Sequence, residues 1–141
     1  MSEVAELART TLATHQSLFL ATSGPTGPWV NGVYFAEDGL YSLLLVLEQR
    51  GRTLAALREN PMAAVIVSTG SPADPFLQAT VRAEILEEGP DAEAARARLL
   101  AKVPYVAPFL ETPIVTARLR VESWRVTDIP NGWLPGRDLA A

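Results

Sequence analysis

Turn-forming residues divide the first third of this sequence into segments that suit short β-strands. The run Ser23-Gly24-Pro25-Thr26-Gly27-Pro28 and the pair Asp38-Gly39 are hairpin signals, and each is flanked by apolar, aromatic or β-branched residues. The intervening segments, 16–22, 29–36 and 40–47, have the length of strands. Since short connections join neighbouring strands antiparallel, this pattern predicts an antiparallel sheet.

The remaining sequence extends the same pattern and adds helices. Ser2 precedes an amphipathic segment, so we expect a capped helix over 3–14. Further strands are predicted over 62–69, 76–86 and 114–126, and further helices over 54–60 and 91–103, the last with Asp91 as its cap. Prolines break 104–113 into irregular turns, and the tail after residue 128 is rich in Pro and Gly. The sequence therefore predicts one mainly β domain over 1–141, a six-stranded and closed or nearly closed barrel.

The apolar content is high for a chain of 141 residues. Hydrophobic residues make up 48% and the mean hydropathy is +0.13, yet apolar runs such as 43–47 and 62–67 are no longer than six residues. A membrane span needs about 20 apolar residues, so we expect no membrane insertion. A subunit interface is the simplest destination for the excess apolar surface, and we expect a homodimer.

Charge and residue usage exclude several functions. The net charge is −4 and no basic run occurs, which argues against a nucleic-acid partner. No cysteine is present, and His15 is the single histidine, so thiolate catalysis and multi-histidine metal sites are excluded. We expect His15, at the end of the first helix, to have a capping or a surface role. Residues 1–6 carry no Lys or Arg, unlike a signal peptide, and we expect a cytoplasmic protein.

The strongest candidate for a ligand site is Arg50-Gly51-Arg52-Thr53, between a buried strand and a helix. Two guanidinium groups, a hydroxyl and the free amides of a helix N-terminus are all good donors to a phosphate oxygen. The alternative is a solvated loop whose arginines pair with Glu48 and Glu59.

Aromatic and polar residues on the predicted strands form a second group of candidates. Trp29, Tyr34, Phe35 and Tyr41 fit either a core or interface or a platform for a cofactor. Gln78 could bind a heterocycle or lie on an exposed face.

Several motifs in this order resemble the pyridoxamine 5′-phosphate oxidase-like family of FMN-binding split barrels. They are Leu18-Phe19-Leu20-Ala21-Thr22, the Gly-Pro loop, Trp29 to Phe35, Leu40-Tyr41-Ser42, and Leu57-Arg58-Glu59-Asn60-Pro61. The resemblance implies a six-stranded antiparallel split barrel and a homodimer with the cofactor at the subunit interface.

The resemblance also implies roles for particular residues. Arg50, Arg52 and Thr53 would hold the FMN phosphate. The flavin ring would lie along β-strand residues Val33, Tyr34, Phe35 and Ser42. Gln78, and Trp124 or Trp133, would reach the site from the partner subunit.

The implied function is FMN binding by an oxidoreductase that acts on an unidentified small molecule. The phosphate cluster lacks the lysine that many members carry, and no histidine lies near Arg137, so vitamin B6 oxidation is not expected. The alternatives are a non-catalytic flavin or haem carrier, a deazaflavin-dependent reductase, and an interaction module without a cofactor.

Overall fold

The fold is a curled antiparallel sheet with four α-helices, seen in a computed structural model that describes residues 2–141. The strands are β1 (Ser17–Gly24), β2 (Gly27–Tyr34), β3 (Ala36–Glu37), β4 (Ser42–Glu48), β5 (Met62–Val67), β6 (Phe76–Leu86), β7 (Ile114–Val121), β8 (Ser123–Asp128) and β9 (Trp133–Ala140). The helices are α1 (Glu3–Thr14), α2 (Arg52–Glu59), α3 (Pro90–Lys102) and α4 (Ala107–Leu110), with a 3₁₀ turn at Pro104–Val106. The mainly β prediction is therefore confirmed.

The sheet contains nine strands where the sequence predicted six. The six predicted strands form its main path, in the order β2-β1-β5-β6-β7-β4, and β3 extends that path beyond β4. The predicted strand over 114–126 is divided at Glu122 into β7 and β8. The Pro- and Gly-rich tail, for which no strand was predicted, forms β9, which pairs with β8 and so satisfies its backbone groups.

The hairpin predicted at Asp38-Gly39 is formed by β3 and β4, with Ala36 opposite Leu44, and β2 takes no part in it. Strands β2 and β4 follow each other closely in sequence, but β4 pairs with β7 along its whole length, from Ser42 with Arg120 to Glu48 with Ile114. The curl of the sheet brings β2 into contact with β4 without a shared ladder. This unpaired boundary is where the candidate site lies.

Alternating side chains place the core on the inner face of the sheet. Leu18 and Leu20 of β1, Leu45 of β4 and Leu119 of β7 are all buried in one cluster. Helix α2 closes one end of this core, where Gly24 approaches Ala56 so closely that an added Cβ would lie 2.7 Å from the Ala56 Cβ atom. The absent side chain at Gly24 thus allows α2 to sit against β1.

The ends of the helices follow local chemistry. The Ser2 hydroxyl accepts a hydrogen bond from the Ala5 amide, as predicted for the start of α1. His15 is the residue at the C-terminal end of α1, and its Nδ1 lies 2.8 Å from the Thr11 carbonyl oxygen. Helix α3 begins differently from the prediction: Gly89 is its N-cap and Asp91 lies within its first turn, because Pro90 occupies the first helical position.

Within residues 2–141, none of the helices is both long and apolar enough to span a bilayer.

Candidate functional site

A groove of about 410 Å³ lies between β2, the end of β4 and the segment 103–113 that connects α3 to β7. Its lining is mainly apolar and includes Val33, Val46, Val106 and Ile114. Its volume and apolar character are those of small-molecule sites. Since β2 ends the path of the sheet, the backbone groups on its free side are not engaged in a ladder and can bind a ligand.

Glu48 connects the groove to the basic cluster. Its carboxylate lines the groove, and its Oε1 atom lies 2.6 Å from Nη2 of Arg50. Hydrogen bonds from the Arg50 guanidinium and from the Arg50 amide hold the pKa of Glu48 below its ordinary value. Glu48 is therefore an anion near neutral pH, and it withdraws Arg50 from other anions.

Arg52 is held differently, by an aromatic ring. Its guanidinium carbon lies 4.1 Å from the centroid of the Trp29 ring, a cation–π contact between α2 and β2. Arg52 is the first residue of α2, and Gly51 before it has no side chain that could cap the helix amides. Across the described part of the chain, no carboxylate forms an ion pair with Arg52. Its hydrogen-bond donors are thus available to an anion.

Three aromatic rings lie together at the groove, and we call them the aromatic ledge. Tyr34 and Phe109 line the groove, and Tyr105 contacts the Tyr34 ring. The Tyr34 ring lies 6.3 Å from each of the other two rings, centroid to centroid, and is tilted by 55° to Tyr105 and by 53° to Phe109. Both pairs are tilted, and their separation lies within the range of about 4.5–7 Å that aromatic pairs prefer.

The structure brings five of the predicted site residues to this region. Val33 and Tyr34 line the groove. Arg50, Arg52 and Thr53 lie at the start of α2, as the sequence predicts, with Thr53 buried. The alternative reading of the arginines is correct for Arg50, which pairs with Glu48, and not for Arg52.

Two predicted ring contacts lie elsewhere. The Phe35 side chain is fully buried in the core, and the Nζ atom of Lys102 lies 3.9 Å from its ring centroid. Side chains alternate along a strand, so Phe35 points inward where Tyr34 points outward. Ser42 begins β4 at the end remote from Glu48, and its hydroxyl accepts a hydrogen bond from Arg118.

The three candidates for a role across a subunit boundary, Gln78, Trp124 and Trp133, do not line the groove. Gln78 is exposed on β6, opposite Ile66 of β5 and Arg125 of β8. Trp124 is fully buried, and its Nε1 donates a hydrogen bond to the Leu40 carbonyl oxygen. Trp124 is thus a core residue, as is Trp133 at 4% exposure, whereas Gln78 is exposed.

Sequence reasoning missed the contribution of the segment 103–113. Val106, Phe109 and Thr112 line the groove, although the prolines of this segment suggested only irregular turns. The sequence signal that could have indicated this contribution is the pair of aromatic residues, Tyr105 and Phe109, that lies among the three prolines of the segment.

The structure is a small mainly β domain, a curled antiparallel sheet with an apolar groove beside the basic start of a helix. Residues 4–128 match the family model of pyridoxamine 5′-phosphate oxidase. The chain belongs to this family.

Solved structures support the same fold. The heme-binding protein from Mycobacterium smegmatis aligns with a TM-score of 0.83 at 23% identity, over 99% of this chain and 59% of that one. HutZ, the heme storage protein from Vibrio cholerae, aligns with a TM-score of 0.72 at 16% identity, over 86% and 92% of the two chains. An FAD-binding protein from Mesorhizobium loti aligns with a TM-score of 0.67 at 20% identity, over 86% and 89%.

The chain thus spans about three fifths of the Mycobacterium smegmatis protein. Among curated protein sequences, none matches this chain.

Proposed function

We propose that this protein binds FMN and acts as a flavin-dependent oxidoreductase on a small molecule. The observation that carries the proposal is the junction of an apolar groove with the basic start of α2, where Arg52 has no anionic partner within residues 2–141. Bound FMN would supply the hydride or electron transfer. The protein therefore needs to bind and orient the cofactor, and it need not provide a catalytic acid or base.

The residues at the start of α2 fit a phosphate group. Arg52 contributes guanidinium donors, and the first amides of α2 contribute backbone donors on the positive end of the helix. Arg50 is a second cation, but its ion pair with Glu48 reduces its contribution to phosphate binding. We therefore assign Arg52 the larger part of phosphate binding.

The groove fits the apolar, planar part of such a ligand. Val33, Val46 and Ile114 exclude water from its walls, and the free backbone edge of β2 offers donors and acceptors at alternate residues. These groups would orient a ring, and their hydrogen bonds would tune its redox behaviour.

We further propose that the protein is a homodimer whose second copy covers the outer face of β2, β1 and β5. Phe19 and Val30 are 48% and 62% exposed, and the small residues Ala21 and Ala64 continue the row across the sheet from Val30. Such a flat apolar face is typical of subunit interfaces. It adjoins the groove at Gly32, the partner of Phe19, so a second copy would border the ligand site.

The dimer is tested by light scattering at micromolar concentration. A mass near 30 kDa is expected, twice the 15.2 kDa of one chain. A mass of a single chain would contradict the proposal.

FMN binding is tested by titration with fluorescence detection. We expect Arg52→Ala to weaken FMN binding by about tenfold or more, since hydrogen bonds to charged groups contribute about 1.5–3 kcal/mol. Arg58→Ala, in the last turn of the same helix, is the matched control and should bind FMN like the wild type. If the wild type, Arg52→Ala and Arg58→Ala bound FMN with equal affinity, Arg52 would not be part of the phosphate site.

Haem is a second candidate, favoured by the heme-binding and heme storage proteins among the structural neighbours and by the apolar groove. The absorption spectrum of the purified protein distinguishes bound flavin from bound haem. Competition with a deazaflavin tests the third cofactor. Reduction by a nicotinamide cofactor under turnover conditions then separates an enzyme from a carrier. The cytoplasmic location stays a prediction from the sequence.

A further inference from the structure

The aromatic ledge has more exposed ring surface than a purely structural cluster needs. Tyr105 is 58% exposed, Phe109 52% and Tyr34 37%, although Tyr34 contacts both of the other rings. The rings are tilted to one another and not stacked face to face, so much of their surface stays exposed at the groove.

The ledge is also held in a fixed position. Pro104 and Pro108 restrict the backbone on either side of Tyr105 and before Phe109. Between the two rings, Val106 is fully buried against Leu99 of α3. Rings on an anchored segment lose little conformational entropy when they bind a ligand.

The ledge is separate from the proposed phosphate site. Arg52 stacks on Trp29, five residues before Tyr34 on β2, which is roughly 17 Å along an extended strand. Glu48 is the single charged side chain that lines the groove in the described part of the chain, and Arg50 already neutralises it. The ledge therefore presents aromatic rings and no free charged group that could bind an ionic ligand.

We infer that the aromatic ledge is a substrate subsite that selects neutral, planar aromatic molecules. This inference rests on the proposed function, because it assigns a substrate class to the same groove. Stacking on ring faces favours flat conjugated molecules over saturated ones of the same size.

The test is equilibrium dialysis of 2-naphthol, a neutral planar probe, against the full-length protein loaded with FMN. Decahydro-2-naphthol, which has the same carbon skeleton without aromaticity, is the matched ligand. We expect 2-naphthol to bind at least several-fold more tightly. Tyr105→Leu and Phe109→Leu should each weaken its binding by about three- to tenfold, whereas Tyr105→Phe should keep it within about twofold of the wild type.

Phe76→Leu, at a half-buried phenylalanine that does not line the groove, is the matched control protein. Equal binding of the two naphthol probes, or unchanged binding to both leucine variants, would overturn the inference. So would a parallel loss of FMN affinity in these variants, because the ledge would then belong to the cofactor site. The dialysis of 2-naphthol can be repeated with protein that carries no FMN. A protein that does not bind FMN is thereby distinguished from a ledge that does not bind 2-naphthol.

Discussion

The contact between Gly24 and α2 permits a quantitative test, because that helix begins with the residues proposed to bind phosphate. An alanine at position 24 would place its Cβ 2.7 Å from the Cβ and 2.9 Å from the Cα of Ala56. Carbon atoms prefer separations of about 3.5–4.0 Å, so the hairpin or α2 must move by about 1 Å. Overpacking of this kind costs about 1–3 kcal/mol.

The expected net effect of Gly24→Ala is somewhat smaller than this cost. Alanine restricts the unfolded chain and returns about 0.4–1 kcal/mol, since the backbone at Gly24 is outside the left-handed region. We therefore expect a net destabilisation of about 1–2 kcal/mol and a Tm lower by about 3–6 °C for a domain of this size. Displacement of α2 should also weaken FMN binding, because Arg52 and Thr53 move with the helix.

Urea denaturation and thermal unfolding measure the effect. Gly32→Ala is the control, because its added Cβ would lie 3.7 Å from the Phe19 ring, an ordinary contact, and its Tm should not fall. The double variant Gly24→Ala with Ala56→Gly should be less destabilised than the sum of the single variants. Strict additivity, or a Gly24→Ala protein as stable as the wild type, would refute the reasoning.

Three other perturbations test the site and its surroundings. Glu48→Gln removes the anion that pairs with Arg50; FMN affinity should rise severalfold in a fluorescence titration, and weaker binding would show that Glu48 supports the ligand. Trp29→Leu removes the ring that contacts Arg52, and this variant should bind FMN about two- to fivefold more weakly than the wild type. Trp29→Phe should bind FMN nearly as tightly as the wild type. An FMN affinity of Trp29→Leu equal to that of the wild type would contradict a role of Trp29 in positioning Arg52. Burial lowers the pKa of Lys102 below its ordinary 10.5, although the hydrogen bond to Glu37 opposes the shift. Between the lowered pKa and 10.5 the unfolded chain therefore binds more protons than the folded protein. The free energy of unfolding of the wild type, relative to that of Lys102→Met, should rise with pH in that window. Urea denaturation of both proteins at pH 8 to 10 checks this, and a fall in the difference between their free energies of unfolding would contradict it.

Local chemistry made part of the site predictable. The Arg50-Gly51-Arg52-Thr53 cluster follows a buried strand and precedes a helix, and the structure places it there. The roles of its members were not predictable. Arg50 has its carboxylate two residues away, whereas the ring that holds Arg52 comes from β2, more than 20 residues earlier in the chain.

The sequence by itself determined the elements whose causes are local. The Ser2 cap and apolar spacing define α1, and the hairpin signals define β1 and β2, because capping and turn formation depend on residues close in the chain. Only the tertiary structure decided the pairing of β4 with β7 and the meeting of Tyr34 with Phe109. Such contacts join residues about 70 positions apart, and they depend on the curl of the whole sheet. The groove exists because that curl brings β2 beside β4 without pairing them, which no local pattern encodes.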